Sequence, residues 1–157
     1  MALKPGTVAP TFEIPHHLDG VARLKDYIGK TLVVAFHPFS FTGGWTNQLR
    51  GFRDYGETFL KDGIEIIEIS CDSIPTQKAW ANSLGGVSFP IGSDFHPHGF
   101  ISRQFDVYNK DTGAARRSVF IINGNGTIIW SKEYEPGTLP DPDELKIEIK
   151  KIDRQKN

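Results

Sequence analysis

One thiol, a pair of adjacent arginines, a threonine hydroxyl in an aromatic loop and five histidines have the types and spacing to do chemistry in this 157-residue chain. Cys71 is the single cysteine, so no intramolecular disulfide can form. As a nucleophile it would need its thiolate, but its neighbours supply no activating cation and Asp72, if close, would oppose ionisation. Its place at the end of an apolar strand favours a buried structural thiol. The pairs His16-His17 and His96-x-His98 raise a metal hypothesis, yet neither brings cysteine partners or a helical i, i+4 arrangement, so they read as loop histidines. No metal or other cofactor is expected. Arg116 and Arg117 are adjacent on a strand, whose side chains alternate, so only one of them should face a given site. Thr42 reads as a loop or capping hydroxyl unless its surroundings give it more to do.

The elements that must position these residues follow an α/β rhythm. Phe12-Glu13-Ile14 and Val21 to Leu24 flank an Asp19-Gly20 turn and predict an N-terminal hairpin. Thr31 to Phe36 is a continuous β-rich apolar run, as in a central strand covered on both faces, and Pro38 ends it. Trp45, Leu49, Phe52, Tyr55 and Phe59 recur at helical spacing and predict an amphipathic helix stopping near Asp62-Gly63. Ile64 to Ser70 is the next buried strand, followed by a helix from Pro75 closed by Gly85-Gly86. Val87 to Ile91 reads as extended and Gly99 to Tyr108 as helical. Ser118 to Ile122 and Thr127 to Trp130, separated by Asn123-Gly-Asn-Gly126, predict a second hairpin, and Asp141-Pro-Asp-Glu144 starts a terminal helix. With no repeat or linker, residues 1–157 are expected to form a single domain.

Eighteen basic against nineteen acidic residues, a formal charge of -1, give no global attraction for nucleic acid. No apolar run reaches the roughly 20 residues of a membrane helix. With one cysteine and no signal-like or transit-like start, the chain is expected to be cytoplasmic, with neither nucleic acid nor membrane as a partner.

Phe36-His-Pro38-Phe-Ser-Phe-Thr42-Gly-Gly-Trp45 resembles the peroxiredoxin active-site segment, in which Pro-x-x-x-Thr-x-x-Cys follows a buried strand. Ile69-Ser-Cys-Asp72-Ser73 with Lys78-Ala-Trp80, and Ala115-Arg-Arg117-Ser-Val-Phe120 running into Asn123-Gly-Asn-Gly126, are similar to later family segments. The resemblance spans about Lys4 to Ile152 and is nearest to the bacterioferritin-comigratory and one-cysteine types. It implies a thioredoxin-like fold, a central mixed β-sheet flanked by helices. It also implies a reaction in which a helix N-terminus and an arginine hold a cysteine thiolate that attacks hydroperoxide. Carried over by residue, Pro38, Thr42 and Arg117 take the supporting positions, Arg116 becomes a solvated neighbour, and His37 borders the site. The nucleophile's position falls on Trp45, whose indole has no ionisable thiol.

Hydroperoxide reduction is therefore expected to be absent, leaving a small anion or ligand pocket at Thr42 and Arg117. Whether the chain is an enzyme stays open. The alternatives are a thiol peroxidase working through Cys71, a natural form with cysteine at position 45 of which Trp45 is an engineered replacement, and a protein-interaction module using the aromatic loop. A thiol reductant is a partner only if the chain is active. Phe36, Phe39, Phe41 and Trp45 form an aromatic cluster, and in the resembling family the threonine loop lies near a dimer interface, so a homodimer is expected.

Overall fold

The computed structural model describes the backbone of residues 1–155, with the side chains of 43–49, 55, 57 and 152–155 outside the description. Strands β1 (Glu13–His16) and β2 (Gly20–Arg23) form the expected hairpin. Next come β3 (Thr31–Phe36), helix α1 (Gly43–Lys61), β4 (Ile64–Ser70) and α2 (Ile74–Ser83). A short β5 (Ile91–Ser93) leads into the one-turn α3 (Phe100–Gln104). Strands β6 (Tyr108–Asn109) and β7 (Ala114–Ala115) pair with each other, and β8 (Ser118–Ile122), β9 (Ile128–Glu133) and α4 (Pro142–Gln155) complete the order.

Seven strands form one mixed sheet in the order β2-β1-β5-β4-β3-β8-β9. β3 runs parallel to β4 and antiparallel to β8, with Phe36 opposite both Ile69 and Ser118. That register decides where a site can form. The residues just after β3, just after β4 and just before β8 all emerge at one end of the sheet, which brings the segments carrying Pro38, Asp72 and Arg117 together.

Side-chain alternation along the central strands feeds two cores. Val33 and Ala35 of β3 and Val119 and Ile121 of β8 pack with Phe52 of α1, Trp80 of α2 and Leu145 of α4. Leu32, Val34 and Phe36 point the other way, with Phe120, Ile122, Ile101 of α3, Phe105 and the N-terminal Phe12. Phe36 is fully buried, tilted against Phe105 and edge-on to Phe120, ring centroids 5.2 and 5.8 Å away. Burying one such side chain contributes about 1.5–3 kcal/mol.

Two segments differ from the sequence expectation. The extended run at Val87 to Ile91 begins as strand only at Ile91, because Pro90 offers no N–H to a ladder. Val87 and Phe89 instead enter the core from irregular backbone. The helix expected over Gly99 to Tyr108 stops after Gln104: Asp106 takes a left-handed φ of 58°, and Tyr108 enters the β6–β7 ladder. Among the described residues, no helix is long and apolar enough to cross a membrane.

Candidate functional site

The loop between β3 and α1 is fixed by polar contacts to the end of β4. One oxygen of the Asp72 carboxylate, Oδ2, accepts the Ser40 backbone N–H at 2.8 Å, the Ser40 hydroxyl at 2.9 Å and the Ser70 hydroxyl at 2.8 Å. Gln77 of α2 ties the network to the sheet by donating to Ser70 Oγ at 2.9 Å and to the Gly92 carbonyl at 2.8 Å. Phe39 and Phe41 are left largely exposed on either side of the anchored Ser40, and Phe41 takes a left-handed φ of 66°. Thr42 is the N-cap residue of α1, with extended backbone, and its hydroxyl donates to the Phe39 carbonyl at 2.9 Å.

Beside this loop lies a cleft of about 390 Å³. It is lined by Pro38 and Phe39 of the loop, Asn109 and Thr112, Ala115 to Arg117, and Glu133 to Gly137. Two of the sequence-selected residues, Pro38 and Arg117, thus share a cavity, whereas Thr42 is not among its lining residues. Arg117 donates Nη1 to the Thr138 carbonyl at 2.6 Å, and its own carbonyl accepts from Tyr134 N–H, so it holds the 134–138 turn in place. Burial draws its guanidinium below the ordinary range, yet an arginine remains charged. Trp45 falls in the first turn of α1, and its side chain lies outside the described residues.

Arg116, expected to be merely solvated, is a clamp. It pairs with Glu133 at 3.1 Å and donates to the carbonyls of Tyr108 at 3.1 Å and Asp106 at 2.6 Å, binding the β6–β7 segment to β9. Both arginines nevertheless line the cleft, against the expectation that only one would face it, because neither lies in a strand: they form the bend between β7 and β8, where side chains need not alternate. His37 does not border the cleft as expected. It is fully buried beneath the loop, its Nδ1 3.0 Å from Glu68 Oε2, with the Trp80 ring centroid 5.0 Å away. The physical reason is register: Phe36 faces one core, so His37, the next residue, faces the other.

Cys71 is half-buried, with Sγ 3.9 Å from the Ser102 hydroxyl. Desolvation, reinforced by the nearby Asp94 charge, pushes its pKa up to about 11. A thiol in that state is a poor nucleophile at neutral pH. His17 is buried and structural, its Nδ1 accepting from Ile91 N–H at 3.0 Å and its Nε2 donating to the Val87 carbonyl at 3.1 Å. Burial lowers the pKa of His17, consistent with a neutral ring in those two bonds. The expected aromatic cluster divides: Phe36 belongs to the core, while Phe39 and Phe41 face solvent.

Sequence reasoning missed the Ser40–Asp72 anchor, the Tyr134–Gly137 wall and the His37–Glu68 pair. Only the last carried a readable signal, the glutamates Glu65 and Glu68 inside the run Ile64 to Ser70: three residues apart, they fall on opposite faces of a strand covered on both, so a buried partner is required.

Comparison with known proteins bears on what this arrangement descends from. The AhpC/TSA family model matches residues 5–131. Alkyl hydroperoxide reductase E of Mycobacterium bovis is 34% identical over 140 residues, 88% of this chain and 91% of that protein. Peroxiredoxin-2 of Mus musculus is 33% identical over 132 residues, 78% of this chain and 66% of that protein. The crystal structure of Enterococcus faecalis AhpC superposes with a TM-score of 0.87 at 24% identity, covering 98% of this chain and 93% of its own. Peroxidoxin BcpB from Mycobacterium tuberculosis superposes with a TM-score of 0.76, also at 24% identity, over 83% of this chain and 86% of its own. The sheet order, the helices on its faces and these matches together place the chain in the AhpC/TSA family of peroxiredoxins, on a thioredoxin-like fold.

Proposed function

We propose that this chain keeps the peroxiredoxin scaffold but lacks the thiol needed to reduce hydroperoxides. The observation that carries this reading is the pairing of Trp45 in the first turn of α1 with a single cysteine, Cys71, whose pKa is pushed up to about 11. Indole cannot form a sulfenic acid, and a thiol so seldom ionised at neutral pH does not substitute for one. What remains is a cleft in which Arg117 stands among Pro38, Phe39 and Tyr134, with the Arg116–Glu133 pair and Glu135 also in its lining; Arg117 is the group in it that would receive a small anion or the anionic end of a ligand. Thr42, which does not line the cleft, keeps the loop in shape through its bond to the Phe39 carbonyl.

In this reading residues 1–157 act as one domain, cytoplasmic, and self-associate through the exposed Phe39 and Phe41. The test is consumption of hydrogen peroxide and cumene hydroperoxide with dithiothreitol by the chain as given, by Trp45→Cys and by Cys71→Ala. Turnover only by Trp45→Cys is the expected result. Turnover by the chain as given that disappears in Cys71→Ala would make it a thiol peroxidase and end this reading.

A further inference from the structure

The five histidines of the chain separate by what their ring nitrogens do. Both nitrogens of His17 are engaged by backbone, His37 is buried against Glu68, and Nδ1 of His16 accepts from Leu18 N–H at 3.2 Å. His96 and His98 are different. Both are exposed, and among the described residues no hydrogen bond or ion pair occupies a ring nitrogen of either. Their rings meet edge to face, centroids 5.9 Å apart with an interplanar angle of 78°.

The loop that presents them is fixed from beneath. Asp94, buried at 2% exposure, accepts from Ile101 N–H at 3.0 Å, Ser102 N–H at 2.8 Å and the Ser102 hydroxyl at 2.7 Å. Its carbonyl accepts from Gly99 N–H at 2.9 Å, and His98 N–H donates to the Phe95 carbonyl at 3.0 Å. Gly99 has a φ of 78°, and a Cβ there would stand 2.3 Å from the Tyr108 ring, so only glycine fits. His98 takes a left-handed φ of 55°, an uncommon conformation for a residue with a side chain.

Neutral imidazole is a preferred ligand of zinc, copper and nickel. With a metal–nitrogen bond of about 2.0–2.1 Å, each ring centroid stands about 3.2 Å from the ion. Two rings on one ion then have centroids about 5 Å apart at a tetrahedral angle and about 6 Å apart at a wider one. The observed 5.9 Å falls in this range, and since both rings are exposed, a side-chain rotation from the edge-to-face pose is what aims a nitrogen of each at one ion. We propose that His96 and His98 form a two-imidazole site for a divalent first-row cation of the copper, nickel and zinc class, with solvent in the remaining positions. Among the described residues no group of three or more histidine, cysteine or carboxylate side chains is placed to hold a metal, so the two imidazoles are the protein ligands the proposal assigns. Hard cations such as magnesium and calcium, which demand oxygen ligands, are excluded by the same donor set.

The test is isothermal titration of the tag-free full-length protein with copper, nickel and zinc salts in a non-chelating buffer. It is repeated on His96→Asn, His98→Asn, the double variant and a His16→Asn control, each shown to be folded by circular dichroism. One ion per chain is expected, tightest for copper, with a Kd on the order of micromolar. Either single substitution should weaken it at least about tenfold, and the control should not change it. Absence of binding by the parent chain, binding that survives the double substitution, or equal loss in His16→Asn would overturn the proposal.

Discussion

At the scale of single residues, environment decides what a side chain can do, and Cys71 is the clearest case. Its position was readable as the end of an apolar strand, and the neighbouring Asp72 does oppose its ionisation as expected, but burial and Asp94 outweigh that neighbour. Asp94 reaches it from just after β5, and Ser102 of α3, whose contact with sulfur favours the thiolate, donates its hydroxyl to Asp94 at 2.7 Å and stands 3.9 Å from sulfur, too far to offset burial. With the pKa pushed up to about 11, the thiolate is scarce at pH 8 and becomes abundant only as pH rises toward that value. Alkylation of the native protein by iodoacetamide at pH 8 is therefore expected to run roughly a hundredfold slower than for a free cysteine, and to accelerate steeply with pH. Unfolding in urea should abolish the difference. Equal labelling rates in the native and unfolded protein would show that burial does not protect the thiol. His37 teaches the same lesson from the other side: the motif placed it beside the site, but its partner, Glu68, lies 31 residues away and draws it into the core.

At the scale of elements, periodicity located what is regular and missed what is held by polar side chains. β3, β4 and β8 were legible as apolar runs because each is covered on both faces. The short α3 and the β6–β7 ladder were not, because five residues and two are too few to show a period. Of the site, Pro38 and Arg117 were legible through family resemblance, while the shape of the loop between them and α1 was not. That shape rests on Asp72, whose Oδ2 collects two donors from Ser40 and one from Ser70. Asp72→Ala strands those donors in a part-buried setting and should cost about 2–3 kcal/mol of stability in urea unfolding. The Ser40 amide should also exchange hydrogen much faster, whereas Asp72→Asn, which keeps an acceptor oxygen, should lose less of both. A Ser40 amide equally protected in Asp72→Ala would mean that the loop is held by something other than this carboxylate.

At the scale of the whole molecule, two cores sandwich one sheet, and the site lies where the ends of β3 and β4 meet the start of β8. This arrangement gives neighbouring phenylalanines opposite roles. Phe36, at 0% exposure, joins the core around Phe105 and Phe120, so replacing it by serine should unfold the protein. Phe39 and Phe41, at 41% and 55% exposure, contribute little to a lone chain, yet they stand together on an anchored loop beside the cleft. Large rings fixed in that way favour burial against a second copy. Sedimentation equilibrium should accordingly give about twice the 17.5 kDa of one chain. The double substitution Phe39→Ser, Phe41→Ser should shift the mass toward one chain at the same concentration while leaving the melting temperature of the monomer nearly unchanged. A dimer that persists undiminished through both substitutions would place the interface elsewhere, and a parent chain that sediments as a monomer would leave the aromatic loop free for a different partner.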